Sequence, residues 1–372
     1  MIITCNKQVL LNNINIVMKS VATRTTMPIL ECILIVADRD GLRLIANDLE
    51  LGIETANISA EIIELGSVAL KANIFADIVR NMPSEDVTIN VDHNYFATIT
   101  GNKTEFTIAG QHGDEFPQIN KIQKDNKYTI KSRVFSNMIK QTKFSVSLDE
   151  TKPILTGELL EIKNEQFNIV AADYSRVSFR KSFVELEHNQ DLNHMDVVVP
   201  ARTLTEIIKI LPDKGDDLLN IYFNENHVLF EIESCIIVSR LLEGDFLKYE
   251  PIFTEDHTTK IKISKLELLD SLKRAVLVTR DSKKTVVKLD INSDETLIIT
   301  ASAELGNSKE ELRVDLQGAP LSISFNTKYL IDALRVIDDE MIFIQFMSPL
   351  SPCIIKPVET DEFKYLILPL KV

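Results

Sequence analysis

The sequence has no run approaching about 18 consecutive apolar residues, and its start, Met1-Ile-Ile-Thr-Cys-Asn-Lys7, lacks the basic stretch and apolar core of a signal peptide. A cytosolic protein with no membrane partner is therefore expected. Glycine and proline are sparse, 11 and 12 in 372 residues, and there is no polar tract, so long linkers are not expected. The four cysteines, at 5, 32, 235 and 353, form no C-x-x-C pair and sit among apolar, strand-like neighbours. They are expected as small buried hydrophobes, neither disulfides nor metal ligands. The histidines at 93, 112, 188, 194, 227 and 257 have no metal-ligand spacing. A nucleophile elbow, a phosphate-binding loop and H-E-x-x-H are all missing. No catalytic residue, metal or cofactor is expected. Asp38 and Asp40 before Gly41 resemble the start of a calcium loop, but the later ligands are lacking and a hairpin turn explains them better.

What is present is a chain long enough for two or three domains, with 45% hydrophobic residues to build their cores. Its net charge of −14 argues against simple electrostatic attachment to nucleic acid, which rests on neutralising phosphates.

The dominant signal is an internal repeat, three copies spaced by about 125 to 130 residues. Each opens with a helical pattern: Lys7 to Thr23, Lys131 to Phe144 and Ser264 to Ala275. A hairpin follows, with strands expected from Pro28 to Val36 and Leu42 to Asp48 around Asp40-Gly41. The second copy has Pro153 to Ile162 and Phe167 to Asp173 around Asn164-Glu165; the third has Thr285 to Ile291 and Thr296 to Ser302 around Ser293-Asp294. A second helix carries an acid three residues before a base: Asp77 and Arg80, Glu206 and Lys209, Asp332 and Arg335. Each copy closes on an acidic residue and a phenylalanine, at Asp114-Glu-Phe116, Asp245-Phe246 and Asp361-Glu-Phe363; Gly113-Asp-Glu-Phe116 is therefore treated as structural, not as a cyclase fragment. The expected fold is α+β: three domains, 1–121, 122–254 and 255–372, each with two helices packed on antiparallel sheets.

Charge is segregated. The six helical segments sum to +10, which leaves −24 on the rest of a chain whose net charge is −14. Lysine favours helix surfaces anyway, but here the bias falls on equivalent helices of three copies. If those helices share one concave surface, their fields add there while the acidic remainder repels polyanions.

Several segments together resemble the bacterial DNA polymerase III beta subunit, the beta sliding clamp, over the whole chain: Arg24 with Met27-Pro-Ile-Leu30, Asn47-Asp-Leu-Glu50, Lys152-Pro-Ile-Leu-Thr-Gly157, Ala171-Ala-Asp173 with Arg176, and the terminal Leu366-Ile-Leu-Pro-Leu-Lys-Val372. The resemblance implies a head-to-tail homodimeric ring around double-stranded DNA, a processivity factor rather than an enzyme. Its implied partners are the DNA polymerase III alpha subunit, the clamp loader, and other DNA polymerases and repair proteins, bound through short peptides. It carries DNA contacts over to Arg24 and Arg202, reading phosphates and not bases; charge alone adds Lys131, Arg133, Lys140 and Lys143. The dimer interface falls on Phe106 and Ile108 against Leu277 and Val278, residues that could equally be core. The partner-peptide pocket falls on Leu155, Ala172, Tyr174, Arg176, Val177, Leu247, Pro251, Ile252, Leu366, Ile367, Leu368, Pro369 and Leu370. The family's frequent D-x-H-R-L is here Asp173-Tyr-Ser-Arg-Val177, without the histidine, and Pro153 and Ile154 stand where some members carry aromatics. Two rivals remain at this stage: a protein-binding adaptor that never encircles DNA, and an acid-base enzyme using Asp48, Asp173 or His112.

Overall fold

A computed structural model describes the chain except residues 125–126, 164, 188–193, 213–216, 280–284, 305 and 371–372. The Asn164 turn position, His188 and the last two residues of the tail thus lie outside the described residues. The described residues contain six α-helices: α1 (Lys7–Val17), α2 (Ala72–Asn81), α3 (Ser132–Thr142), α4 (Ala201–Ile210), α5 (Lys265–Thr279) and α6 (Thr327–Arg335). Asn6 caps α1 by accepting from the Gln8 and Val9 amides, and Asn326 caps α6 through the Lys328 amide, so these two helices start where a side chain satisfies an orphan N–H. Their buried residues recur three and four apart, as Leu10, Ile14 and Val17 in α1 or Leu330, Ile331 and Leu334 in α6. Each such side chain contributes about 1.5–3 kcal/mol by leaving water.

One sequence expectation fails at a specific place. Pro28–Glu31 and Pro153–Thr156 are short 3-10 turns, and the strands begin only at Cys32 and Gly157. Proline's fixed φ and missing N–H suit the first residue of a helical turn better than a strand interior. The third copy has no proline there, and its strand starts at Val286.

The chain divides into two compact units. The first comprises Met1–Arg133, Glu185–Asn189 and Arg202–Leu241; the second comprises Val134–Val184, Gln190–Ala201 and Leu242–Val372. The first is organised by one 14-stranded antiparallel sheet, in which strand Leu51–Thr55 of the first copy pairs with Cys235–Arg240 of the second. The second holds a nine-stranded and a four-stranded sheet, and in the former Arg176–Phe183 of the second copy pairs with Phe363–Ile367 of the third. Sheet hydrogen bonds thus run across the repeat junctions inside each unit. Backbone groups at a strand edge gain more from a neighbouring strand than from an abrupt end.

The closing phenylalanines explain why the hairpin strands are apolar on both faces. Phe116 packs on Leu34 and Ala69, and Phe246 packs with Leu247, Tyr249 and Phe253 over Leu159 and Val170. The chain leaving each of these two copies therefore covers the sheet face that its helices do not. In the third copy the equivalent Phe363 begins a strand and joins that copy's own core.

Candidate functional site

The turns that follow the first two hairpins are built alike. Asp48 Oδ1 accepts from the Glu50 and Leu51 amides, and Asp173 Oδ1 accepts from the Ser175 and Arg176 amides. Each turn is then tied to the second helix of the following copy by an ion pair, with opposite polarity at the two places. In the first unit, Asp48 binds Arg202 of α4 at 2.7 Å; in the second, Arg176 binds Asp332 of α6 at 2.9 Å. Asp332 therefore does not pair with Arg335 as its spacing suggested, whereas Asp77–Arg80 and Glu206–Lys209 do pair, at 2.6 and 2.7 Å. Asp48 and Asp173 are thus turn and junction residues. His112 caps a short turn by accepting from the Asp114 amide. No convergence of these three groups on an acid-base centre appears within either unit.

Beside Arg176 lies a cleft of about 410 Å³, lined by Tyr174, Arg176, Val177, Pro251, Ile252, Leu366 and Leu368 from the expected set. Val177 and Leu366 face each other across a strand pair, and the Leu368 amide donates to the Ser175 carbonyl at 2.8 Å, which holds the tail along the rim. Leu155, Ala172 and Leu247 belong to the apolar cluster behind this wall, Ile367 is buried in the core of the third copy, and Pro369 and Leu370 do not line the cleft. Sequence reasoning missed Gln345, Phe346, Met347, Ser351, Pro352 and Ile354 of the third copy, together with Thr254 and Asp256. The exposed Met347 and Leu350 around Ser-Pro were the available signal.

Arg176 is not a loose rim charge. Its side chain is 10% exposed, its Nε donates to Asp173 at 3.0 Å, and its guanidinium lies 4.5 Å from the Tyr329 ring centroid and 5.5 Å from that of Phe144. Planar stacking with two carboxylates fixes the shape of one cleft wall. At the rim, Lys152 lies over the exposed Tyr174 ring.

The expected DNA-contacting residues are all exposed: Arg24 between two 3-10 turns, Lys131 at a strand end, Arg133 and Lys140 on α3, Lys143 just after it, and Arg202 on α4. They differ in engagement. Arg202 is bound to Asp48, whereas Arg24, Arg133, Lys140 and Lys143 have no ion pair among the described residues. Several cations behind the +10 count are likewise neutralised locally, among them Lys71 by Glu31 and Arg274 by Glu310. Among the described helices and their flanks, α3 carries the most cations without an ion pair: Arg133, Lys140 and, just after it, Lys143. Beneath its end, Glu158 is fully buried and accepts from the Thr142 hydroxyl; burial pushes its carboxyl up to about 8, against the lowering influence of that hydroxyl and of Lys143.

Phe106 and Leu277, which could have been core, are 41% and 68% exposed, while Ile108 and Val278 are half-buried. Phe106 and Ile108 lie on strand Thr104–His112, whose first six residues pair with a neighbour on one side only. Leu277 and Val278 lie near the end of α5, beside edge strand Gly306–Arg313, to which Arg274 is tied through Glu310.

All four cysteines are buried and unpaired, and burial pushes Cys5 up to about 11 and Cys235 and Cys353 up to about 12, so their thiols stay protonated. Among the described residues no group of three metal-ligating side chains could hold an ion, and no helix is long and apolar enough to cross a membrane.

Three consecutive α+β copies, joined through their sheets and carrying an apolar cleft at a junction, define a clamp-type fold. Family models of the DNA polymerase III beta subunit match in series: its N-terminal domain over residues 1–120, its central domain over 129–248 and its C-terminal domain over 250–371. The chain is 34% identical to the beta sliding clamp of Halalkalibacterium halodurans, over 98% of each chain. It is similar in structure to the DNA polymerase sliding clamp of Bacillus subtilis, with 32% identity, a TM-score of 0.95 and coverage of 100% of this chain and 99% of that one. A chain from Eubacterium rectale assigned to the DNA polymerase III beta subunits gives 39% identity, a TM-score of 0.95 and full coverage of both. The chain belongs to the DNA polymerase III beta subunit family. Its function is that of a DNA sliding clamp.

Proposed function

We propose that two copies of the chain close head to tail into a ring around duplex DNA, and that partner proteins are tethered by short apolar peptides seated in the cleft beside Arg176. In this reading each copy contributes three domains, 1–121, 122–254 and 255–372. The observation that carries the reading is the sheet pairing across both internal junctions, Leu51–Thr55 with Cys235–Arg240 and Arg176–Phe183 with Phe363–Ile367. A third junction of the same kind, made between copies, would use the one-sided stretch of strand Thr104–His112 with Phe106 and Ile108, against edge strand Gly306–Arg313 and the nearby Leu277 and Val278. A heterologous contact that closes after two copies yields a ring instead of a filament.

Arg24, Lys131, Arg133, Lys140, Lys143 and Arg202 would meet phosphates without reading sequence. Their affinity alone is small beside the overall charge of −14, so retention on DNA rests on topology. The partners are the DNA polymerase III alpha subunit, the clamp loader, and other polymerases and repair proteins in the cytoplasm. The clamp has no catalytic site of its own and contributes processivity only. The test is retention: loaded onto circular duplex by a clamp loader, the protein stays bound and leaves when the circle is cut. Persistence on the linear product with free ends overturns the ring.

A further inference from the structure

One wall of the cleft is the segment from Pro251 to Asp256, and it is fastened to the sheet by a residue that does not itself line the cleft. Glu255 lies between two cleft-lining residues, Thr254 and Asp256, and bridges two strands: its Oε2 is 3.0 Å from Lys356 Nζ and its Oε1 is 2.9 Å from Lys364 Nζ. Those lysines stand next to the cleft floor. Ile354 and Leu366, which line it, are directly paired across the strands, and Lys356 and Lys364 lie two residues from them, hence on the same sheet face. Both lysine side chains are under one-fifth exposed, and Lys364 has a second carboxylate, Asp361, at 3.3 Å. The remaining charges of the lining lean the other way. Arg176 is saturated by Asp173 and Asp332, while Asp256 is exposed and has no ion pair among the described residues.

We propose that Glu255 is a positioning residue of the cleft: it clamps the Pro251 to Asp256 wall onto the sheet and, by occupying Lys356 and Lys364, leaves Asp256 as the uncompensated charge of that wall. The cleft then selects apolar peptides with basic flanks over the same peptides with acidic flanks. This rests on the peptide-docking reading above. Differential charge, not extra apolar area, carries the discrimination.

The test uses the full chain and two labelled peptides with one apolar core, flanked by lysines or by glutamates, measured by fluorescence anisotropy at low and high salt. The unsubstituted protein should favour the lysine-flanked peptide by about threefold or more at low salt, and the gap should narrow as salt rises. Asp256→Asn should reduce that preference. Glu255→Gln, which frees Lys356 and leaves Lys364 with Asp361 alone, should abolish or invert it, and adding Lys356→Gln and Lys364→Gln should restore it. A uniform loss of affinity for both peptides in Glu255→Gln, with their ratio unchanged, overturns the charge assignment. Equal binding of the two peptides by the unsubstituted protein overturns the inference but leaves the docking reading intact. Failure of both to bind overturns the docking reading and the inference with it.

Discussion

Replacing Arg176 by alanine is the sharpest probe of the junction between the second and third copies. The guanidinium is 10% exposed, contacts carboxylates that are 17% and 19% exposed, and lies against two aromatic rings. Removing it strands two half-buried negative charges at once. Breaking one partner of a buried pair costs about 3–5 kcal/mol, mostly because the other charge is left uncompensated. We therefore expect Arg176→Ala to lose stability of that order in urea unfolding, and to weaken peptide docking because Arg176 and Val177 form one cleft wall. Arg176→Lys keeps the charge but loses the planar fork and the stacking, and should fall between at about 1–3 kcal/mol. In a double-mutant cycle, Arg176→Ala with Asp332→Ala should cost less than the two single changes summed, since the second removes a stranded carboxylate. If Arg176→Ala lies within about 0.5 kcal/mol of the unsubstituted protein, or the pair is additive, the junction is not held as described.

The equivalent junction in the first unit should be weaker, because one carboxylate is stranded there instead of two. Arg202 is 57% exposed but Asp48 only 6%, and Asp48 keeps its backbone hydrogen bonds, so Arg202→Ala should cost about 1–3 kcal/mol in the same unfolding assay. Glu158 has a folded-state carboxyl at about 8, raised from 4.5, so the folded chain binds the extra proton between those values and stability falls as pH climbs through that window. Glu158→Gln should flatten this part of the stability-versus-pH curve and be the more stable protein above pH 8; an unchanged slope would remove the buried acid from the account. Replacing Arg133, Lys140 and Lys143 by alanine should weaken binding to short duplexes irrespective of sequence, and should lower the slope of log affinity against log salt by about 0.9 for each phosphate no longer neutralised. An unaltered slope would move the DNA-facing surface away from α3.

Much of the fold is legible from residue order, because the repeat ties each local pattern to two others. Apolar residues three and four apart mark a helix wherever they occur, and an Asp-Gly or Ser-Asp step between alternating apolar runs marks a hairpin. The expectation failed at Pro28 and Pro153, where alternation read as strand but proline's backbone geometry prevailed. The site was less legible. Tyr174, Arg176, Val177 and Leu366 follow recognisable segments, but Met347, Pro352 and Ile354 come from a loop and strand of the third copy with no pattern of their own. They belong to the cleft because sheet pairing brings Cys353–Pro357 beside Phe363–Ile367.

The sequence by itself determined the three α+β copies, the burial of the cysteines and the segregation of positive charge onto helical segments, since each depends on side chains close along the chain. Only the tertiary structure decided which of those charges remain free. Asp332 and Arg335 have the same spacing as Asp77 and Arg80, yet Asp332 is claimed by Arg176, and Arg202 is claimed by Asp48. Charge pairs form where desolvation leaves a group most in need of a partner, and that partner is set by packing between copies, which spacing within one helix does not encode.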